Sequence, residues 1–521
     1  MGGTSALAAV VIVTAATVLI AFNGLRLSRT TSDFYVASRT VRPWWNASAI
    51  GGEYLSAASF LGIAGLIVVS GQDGLWFPIG YTAGYLMLLL FVAAPLRRSG
   101  AYTLPDFAQI RLGGRAPRLV TSALVVVVGW MYIVPQLHGA ALTLGITTPV
   151  PGWMGAAAVM CIVCVTVLAG GMRSITFVQA FQYWLKLLAL AVPTVFLLLH
   201  LGLTGDSPTA DGAALDPWVS DATAQGSSAV AGGALTLFQT ISLIVALLFG
   251  TLGLPHVLVR FYTNPDGPSA RRTTAIVLGL LSLFYLFPTI LGVLGRAYLP
   301  ELAESNNADA TVLLLPQEVV GGVAGDLLAA LVIGGAFAAF LSTTSGLVVS
   351  LAGVMSQDLF GGTVRGFRWA TVVACAVPLV LALATRSFAL AGAIGSVFAF
   401  TASTICPLLL LGIWWRGLTA RGALAGMITG ALSCGTALLA ASTLILPEAV
   451  AHVCEHPAAV TVPLAFVTTV AVSLWDQRRE PAQSPAAARR AQRARRVMAL
   501  LHVPEPLPSS GAATTHPPES R

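Results

Sequence analysis

Apolar residues fill this chain in runs of about twenty, and short groups of Gly, Pro, Arg or Asp separate the runs. At 1.5 Å per residue, a helical run of that length matches the ~30 Å hydrocarbon core of a bilayer. The pattern predicts thirteen membrane spans, near 5–24, 44–71, 76–96, 118–144, 151–170, 175–201, 233–257, 274–298, 326–356, 369–385, 387–415, 422–446 and 458–475. The first run lacks a positive leading segment and a cleavage site, so it reads as a span and not as a signal peptide. The expected fold is all-α and integral to the membrane. A transporter domain covers 1–475. The segment 476–521, rich in Pro, Ala, Ser and Arg, reads as a basic, disordered tail.

Two runs are interrupted. Span 2 contains Gly51-Gly52-Glu53, and span 7 contains Gly250-Thr-Leu-Gly253-Leu-Pro255-His256. Gly and Pro break the helical hydrogen-bond ladder. In lipid, such breaks persist where the freed backbone groups line a cavity or meet an ion. The breaks are five spans apart. That spacing fits two inverted five-helix repeats, about 44–201 and 233–415, each opening with a discontinuous helix.

Composition supports the reading. The chain is 56% hydrophobic and 9% charged, against about 25% charged in soluble domains. Of its 28 Lys and Arg residues, only Lys186 is lysine. Nearly all the arginines fall on one side of the predicted topology, the exceptions being Arg296 and Arg386. That side is expected to be cytoplasmic, with the N-terminus outside and the C-terminus inside. The basic pI of about 9.3 therefore reports topology and does not point to nucleic acid. The cluster Arg489 to Arg496 reads as a topology anchor beside the inner leaflet, and the segment 203–232 as an outer loop. Cys161-x-x-Cys164 lies in an apolar helix and reads as packing. There is no H-E-x-x-H, no G-x-S-x-G and no metal-ligand cluster in the spans, so an enzyme is not expected.

Three features could carry chemistry. Glu53 is the acidic residue deepest in a span, where a charge costs roughly 3 kcal/mol or more and needs a partner or a job. It could coordinate a cation, hold the broken helix open or accept backbone N–H groups. Lys186 falls near the middle of span 6, where desolvation makes it able to exchange a proton. Ser342-Thr343-Thr344-Ser345 in span 9 offers hydroxyl oxygens suited to a hard cation.

At these residues the chain resembles the sodium/solute symporters, most closely the cation/acetate and monocarboxylate branch. The matching stretches are Ser32-Asp-Phe-Tyr-Val-Ala-Ser-Arg39, Gly52-Glu-Tyr-Leu-Ser-Ala-Ala-Ser-Phe-Leu-Gly62, Gly170-Gly-Met-Arg-Ser174, Gly250-Thr-Leu-Gly-Leu-Pro-His-Val-Leu-Val-Arg-Phe261 and Ala339-Phe-Leu-Ser-Thr343. The resemblance implies a LeuT-like 5+5 inverted-repeat core. It implies a sodium site between spans 2 and 9, with carbonyls of Gly52, Leu55 and Ala339 and hydroxyls of Ser342 and Thr343. It places the substrate beside that site, with Tyr54, Ser56, Gln136 and Gly253 as lining candidates. Asp33 and Arg260 fall in inner-loop positions, and His256 follows the span 7 break. The chain departs from the family pattern at Glu53, where the acetate branch commonly has Asp, and at Thr166. The main departure is Lys186, two turns after Gln179. In some proton-coupled transporters of this fold, a lysine on the fifth core helix puts its ammonium in the sodium position. Glu53, Lys186 and Gln179 are therefore the coupling candidates, and the coupling ion is sodium or a proton. No other cofactor is implied. The expected function is cation-coupled uptake of a small monocarboxylate such as acetate, propionate or pyruvate across the plasma membrane. An amino acid or a sugar is the alternative substrate.

Overall fold

The computed structural model describes residues 3–25, 41–204, 229–304, 307–385, 389–479 and 485–502. Residues 32–39 with Asp33, most of the 203–232 loop, Arg386 and the segment from 503 onward lie outside the described residues. Among the described residues the secondary structure is helical, and helices occupy every predicted run. The span numbers are kept below for the helices that fill them.

The count of thirteen is not reached by helix length and apolar composition. Among the described residues, ten helices pass that test, or eleven with one bent pair taken as a span. The second half of span 2 runs through a tight turn, Gly71–Leu75, into span 3, so Ala58–Phe91 counts as one unit. Span 5, Trp153–Ala169, is short. It joins span 6 in a helical stretch of 52 residues, Trp153–Thr204. A straight helix of that length would measure about 78 Å, more than twice the hydrocarbon thickness. Gly155 packs on Ala140 of span 4, whereas Phe177 meets Trp45 at the start of span 2.

Both predicted breaks are present. Span 2 is helical over Pro43–Tyr54, with Pro43 in the first turn, where its missing N–H costs nothing. Leu55 then leaves the helical region at φ −72°, ψ 88°. The chain resumes with a wide turn at Ala58–Gly62 and a regular helix at Ile63–Ser70. Span 7 runs to Gly253, breaks at extended Leu254, and continues as Pro255–Phe261 at 46° to the first half.

Small residues let the broken helices approach their neighbours. A Cβ on Gly52 would overlap the Gln179 carbonyl of span 6, and one on Gly346 of span 9 would overlap the Glu53 side chain. Span 9, Gly322–Leu359, packs along span 6, and span 1 covers both. Ser174 Oγ donates to the Ala21 carbonyl at 2.8 Å, and Gln182 Nε2 to Thr17 Oγ1 at 3.1 Å. Spans 12 and 13 pack together against span 11.

The segment expected to be disordered holds structure. Span 13 extends to Arg479, and Pro485–His502 form a helix. Its Ala494, Val497, Met498 and Leu501 are buried, against the body at Ala93–Arg98 and Leu104–Leu112. Ala and Arg are good helix formers, and these four residues make one apolar stripe, which a Pro- and Arg-rich composition conceals.

Candidate substrate and cation site

Lys186 is fully buried, and its side chain reaches from span 6 to the break in span 2. Its ammonium donates to the Gly52 carbonyl, to the Leu55 carbonyl at 2.7 Å and to Ser342 Oγ at 2.9 Å. An ammonium has three N–H donors and no acceptor, so these three oxygens satisfy it. The break supplies two of them, because the end of a helix leaves carbonyls without intrahelical partners. Ser342 Oγ also lies 2.7 Å from the Gly52 carbonyl and 3.1 Å from the Ala339 carbonyl. Thr343 Oγ1 donates to the Glu53 carbonyl at 2.7 Å. Four of the five oxygens expected around a sodium ion therefore come together. Gly52, Leu55 and Ser342 hold the Lys186 ammonium, Ala339 stands behind Ser342, and Thr343 is bonded to backbone.

Glu53 takes a different part from direct coordination. Its carboxylate accepts Arg260 Nε at 2.6 Å, and both side chains are 1% exposed. Arg260 Nη1 donates to Thr176 Oγ1 at 2.7 Å and Nη2 to Gln179 Oε1. Gln179 Nε2 donates in turn to the Ser342 carbonyl at 2.8 Å. Asn46 Nδ2 reaches the Arg260 carbonyl at 3.2 Å. One network thus ties spans 2, 6, 7 and 9 together on the arginine-rich side of Lys186. Arg260, read as an inner-loop residue, is instead the buried partner of Glu53. It follows Pro255 by five residues inside the second half of span 7.

Tyr54, the residue before Leu55, carries an aromatic cluster. Tyr54 meets Tyr85 at 4.5 Å between ring centroids, Tyr81 at 5.8 Å and Phe398 at 6.5 Å. Tyr81 stacks on Tyr285 at 5.9 Å, and Tyr132 meets His256 at 5.0 Å. Tyr54 Oη is 3.3 Å from Thr251 Oγ1, and Ser59 Oγ is 3.2 Å from Tyr285 Oη. The hydroxyls of Tyr81 and Tyr85 and both ring nitrogens of His256 are buried without a protein hydrogen-bond partner. Buried polar atoms in that state are costly unless something else satisfies them.

Of the four lining candidates, Tyr54 is in this cluster and Ser56 lies beside Tyr132. Gln136 is engaged elsewhere: its Oε1 accepts the Ala57 amide at 2.8 Å and pins the restart of span 2. Gly253 is closed off by Thr401 and Ile405 of span 11. Tyr81, Tyr85, Tyr285 and Phe398 were missed, because a single aromatic in an apolar run is indistinguishable from packing.

The two sides of the cluster differ. The Glu53–Arg260 network closes the arginine-rich side. On the other side lies a cavity of about 280 Å³, whose walls include Ser70, Asp73, Phe77, Thr240 and His456. Phe77 forms its link to the cluster, 6.1 Å from Tyr81. Among the described residues, no group of three His, Cys, Asp or Glu could hold a metal ion.

Comparison with known proteins agrees with this geometry. The sequence profile of the sodium:solute symporter family matches residues 34–430. The chain is 30% identical over 428 residues to an uncharacterized symporter, YwcA, of Bacillus subtilis (strain 168), covering 80% of this chain and 82% of that one. It is also 30% identical over 481 residues to a monocarboxylic acid transporter of Corynebacterium glutamicum, covering 85% and 87%. The structure superposes on an outward-open Na+-coupled sialic acid symporter with a TM-score of 0.67 at 16% identity, over 90% of this chain and 98% of that one. The architecture is the LeuT-like fold, with its inverted-repeat core.

Proposed function

The chain belongs to the sodium:solute symporter family, a family of multi-pass membrane transporters, and from that premise we propose that it imports a small monocarboxylate together with a proton carried on Lys186. The observation that carries the coupling ion is the Lys186 ammonium on the oxygens of Gly52, Leu55 and Ser342. Sodium and an ammonium cannot share those ligands at once.

The charge balance supports a carboxylate. Glu53 and Arg260 compensate each other as a buried pair. Lys186 then leaves one positive charge at the break in span 2, and one carboxylate neutralises it. The Tyr81 and Tyr85 hydroxyls and His256 supply polar contacts, and the rings supply an apolar wall. A relative 30% identical to this chain is a monocarboxylic acid transporter, which favours acetate, propionate or pyruvate over an amino acid or a sugar.

The cycle follows from these roles. Substrate enters from the cavity side, which is the outside if the arginine-rich side is cytoplasmic. It settles against the aromatic cluster while Lys186 is protonated. Release inward requires the Glu53–Arg260 network to open and the Lys186 proton to leave. One anion moves with one proton, so the step is electroneutral. A cycle with one sodium per anion would be electroneutral as well, and only a cycle with more than one sodium per anion would carry charge and gain about 2.3 kcal/mol per net charge per 100 mV. Sodium coupling is the second reading. It is favoured by Ala339 and Thr343, whose oxygens make no bond to Lys186.

Uptake of labelled acetate, propionate, pyruvate, alanine and glucose into proteoliposomes tests the substrate class. The monocarboxylates are expected to accumulate and to compete with one another. Accumulation of alanine or glucose alone would overturn the carboxylate assignment.

A further inference from the structure

At the arginine-rich face lies a second cavity, of about 590 Å³, remote from the transport site. Six arginines line it: Arg111, Arg421, Arg479, Arg489, Arg490 and Arg493. Among the described residues one carboxylate, Asp476, faces them, so the described lining carries a net charge of +5. Asp476 is already committed, 2.8 Å from Arg421 Nη1 and 4.0 Å from Arg490 Nη1.

The arginines are placed by the fold. Arg111 is 2% exposed. Its Nε donates to the Gly412 carbonyl at 2.8 Å and its Nη2 to the Trp415 carbonyl at 2.9 Å, which ties the Leu104–Leu112 helix to the end of span 11. Burial lowers its pKa to about 10, so it remains charged at neutral pH. The Pro485–His502 helix buries Ala494, Val497, Met498 and Leu501. That seating turns Arg489, Arg490 and Arg493 toward the cavity, and Gly113 gives way to the Arg493 guanidinium. Arg479 lies 3.9 Å over the Trp475 ring. Like charges gathered in a cavity repel unless a counter-anion joins them. The planar, five-donor guanidinium matches phosphate oxygens in geometry.

We infer that this cavity binds a phosphate-bearing anion, and that its occupant is the headgroup of an anionic phospholipid. Spans 12 and 13, which form one wall, turn Ile428, Leu432 and Val467 outward, each about half or more exposed, as lipid-facing helices do. Trp475 is 49% exposed one turn before Arg479, the position of an interfacial tryptophan. Basic pockets at the inner face of membrane proteins hold headgroups in this way. The bound headgroup clamps the Pro485–His502 helix to spans 12 and 13.

Native mass spectrometry and thermal unfolding of the purified full-length protein in detergent test the inference. The probes are phosphatidylglycerol, phosphatidylcholine and inorganic phosphate, at matched ionic strength. The variants are the triple exchange Arg489→Gln, Arg490→Gln, Arg493→Gln and, on another helix, Arg421→Gln. Phosphatidylglycerol is expected to be retained and to raise the melting temperature of the wild type. Both variants are expected to hold it at least fivefold more weakly, with phosphatidylcholine inert. Stabilisation by inorganic phosphate that the variants lose would keep the phosphate site and overturn the lipid source. Equal retention of both lipids by the wild type and both variants would overturn the site.

Discussion

Lys186 is the residue on which the coupling account turns. Its three donors meet three oxygens, two of which are carbonyls exposed by the break in span 2. Replacing it with alanine removes the charge and leaves those carbonyls available to water or sodium. Lys186→Ala is therefore expected to lower pH-gradient-driven uptake at least tenfold, equivalent to about 1.4 kcal/mol, and to flatten the pH profile. An unchanged pH profile in that variant would make Lys186 a structural residue. Glu53 answers to a different test. Glu53→Gln strands the Arg260 guanidinium in the core, and breaking a buried pair on one side costs about 3–5 kcal/mol. Glu53→Asp keeps the charge. Melting curves in detergent should place the Gln variant well below the Asp variant, and equal midpoints would remove the ion pair from the account. Lys186, Glu53 and Gln179 could be singled out in the sequence because charged and amide side chains in an apolar helix demand a reason. Their pairing could not: Arg260 stands 207 residues from Glu53, and no periodicity reports a contact at that distance.

Among elements, the broken helices were the most legible, because Gly and Pro act on the local backbone. Gly51-Gly52 and Gly253-Leu-Pro255 mark the breaks to within a few residues. The Pro485–His502 helix was not legible as structure. Its apolar stripe is short, and it needs the body to pack against before it is stable. A smaller element carries its own pH dependence. Asp309 sits in the turn Ala308–Ala310, outside the spans, and accepts the Leu390 amide at 2.8 Å at the start of span 11. Burial raises its carboxyl to about 6, above the unfolded value near 3.9. The folded state therefore binds this proton more tightly. The stability it contributes is full below about pH 4 and is lost as pH rises toward 6. Asp309→Asn keeps an acceptor for Leu390 without a buried charge. It should abolish that part of the slope in melting temperature between pH 4 and 6, and an identical slope in the variant would assign the effect to another group.

For the whole molecule, the two sides of the transport site are built differently. The Glu53–Arg260–Gln179 network joins spans 2, 6, 7 and 9 on one side, while the opposite side carries the 280 Å³ cavity. That asymmetry suits a transporter closed toward its arginine-rich face. The membrane class and the paired breaks were legible in the sequence, since both rest on the arrangement of apolar runs along the chain. The boundary between spans 2 and 3 was legible as well, whereas the number of crossings depends on how joined helices are counted, since Ala58–Phe91 and Trp153–Thr204 each run through a predicted boundary. The aromatic cluster was invisible for the same reason as the ion pair: its members come from spans 2, 3, 4, 7, 8 and 11 and meet only in the fold. The central claim is that the cation site is filled by the Lys186 ammonium. The most direct measurement is initial uptake of labelled acetate and pyruvate into proteoliposomes, under a pH gradient without sodium and under a sodium gradient at equal pH. Uptake driven by the pH gradient, indifferent to sodium and insensitive to clamped voltage, is the predicted result. Uptake that requires the sodium gradient and ignores pH would contradict it.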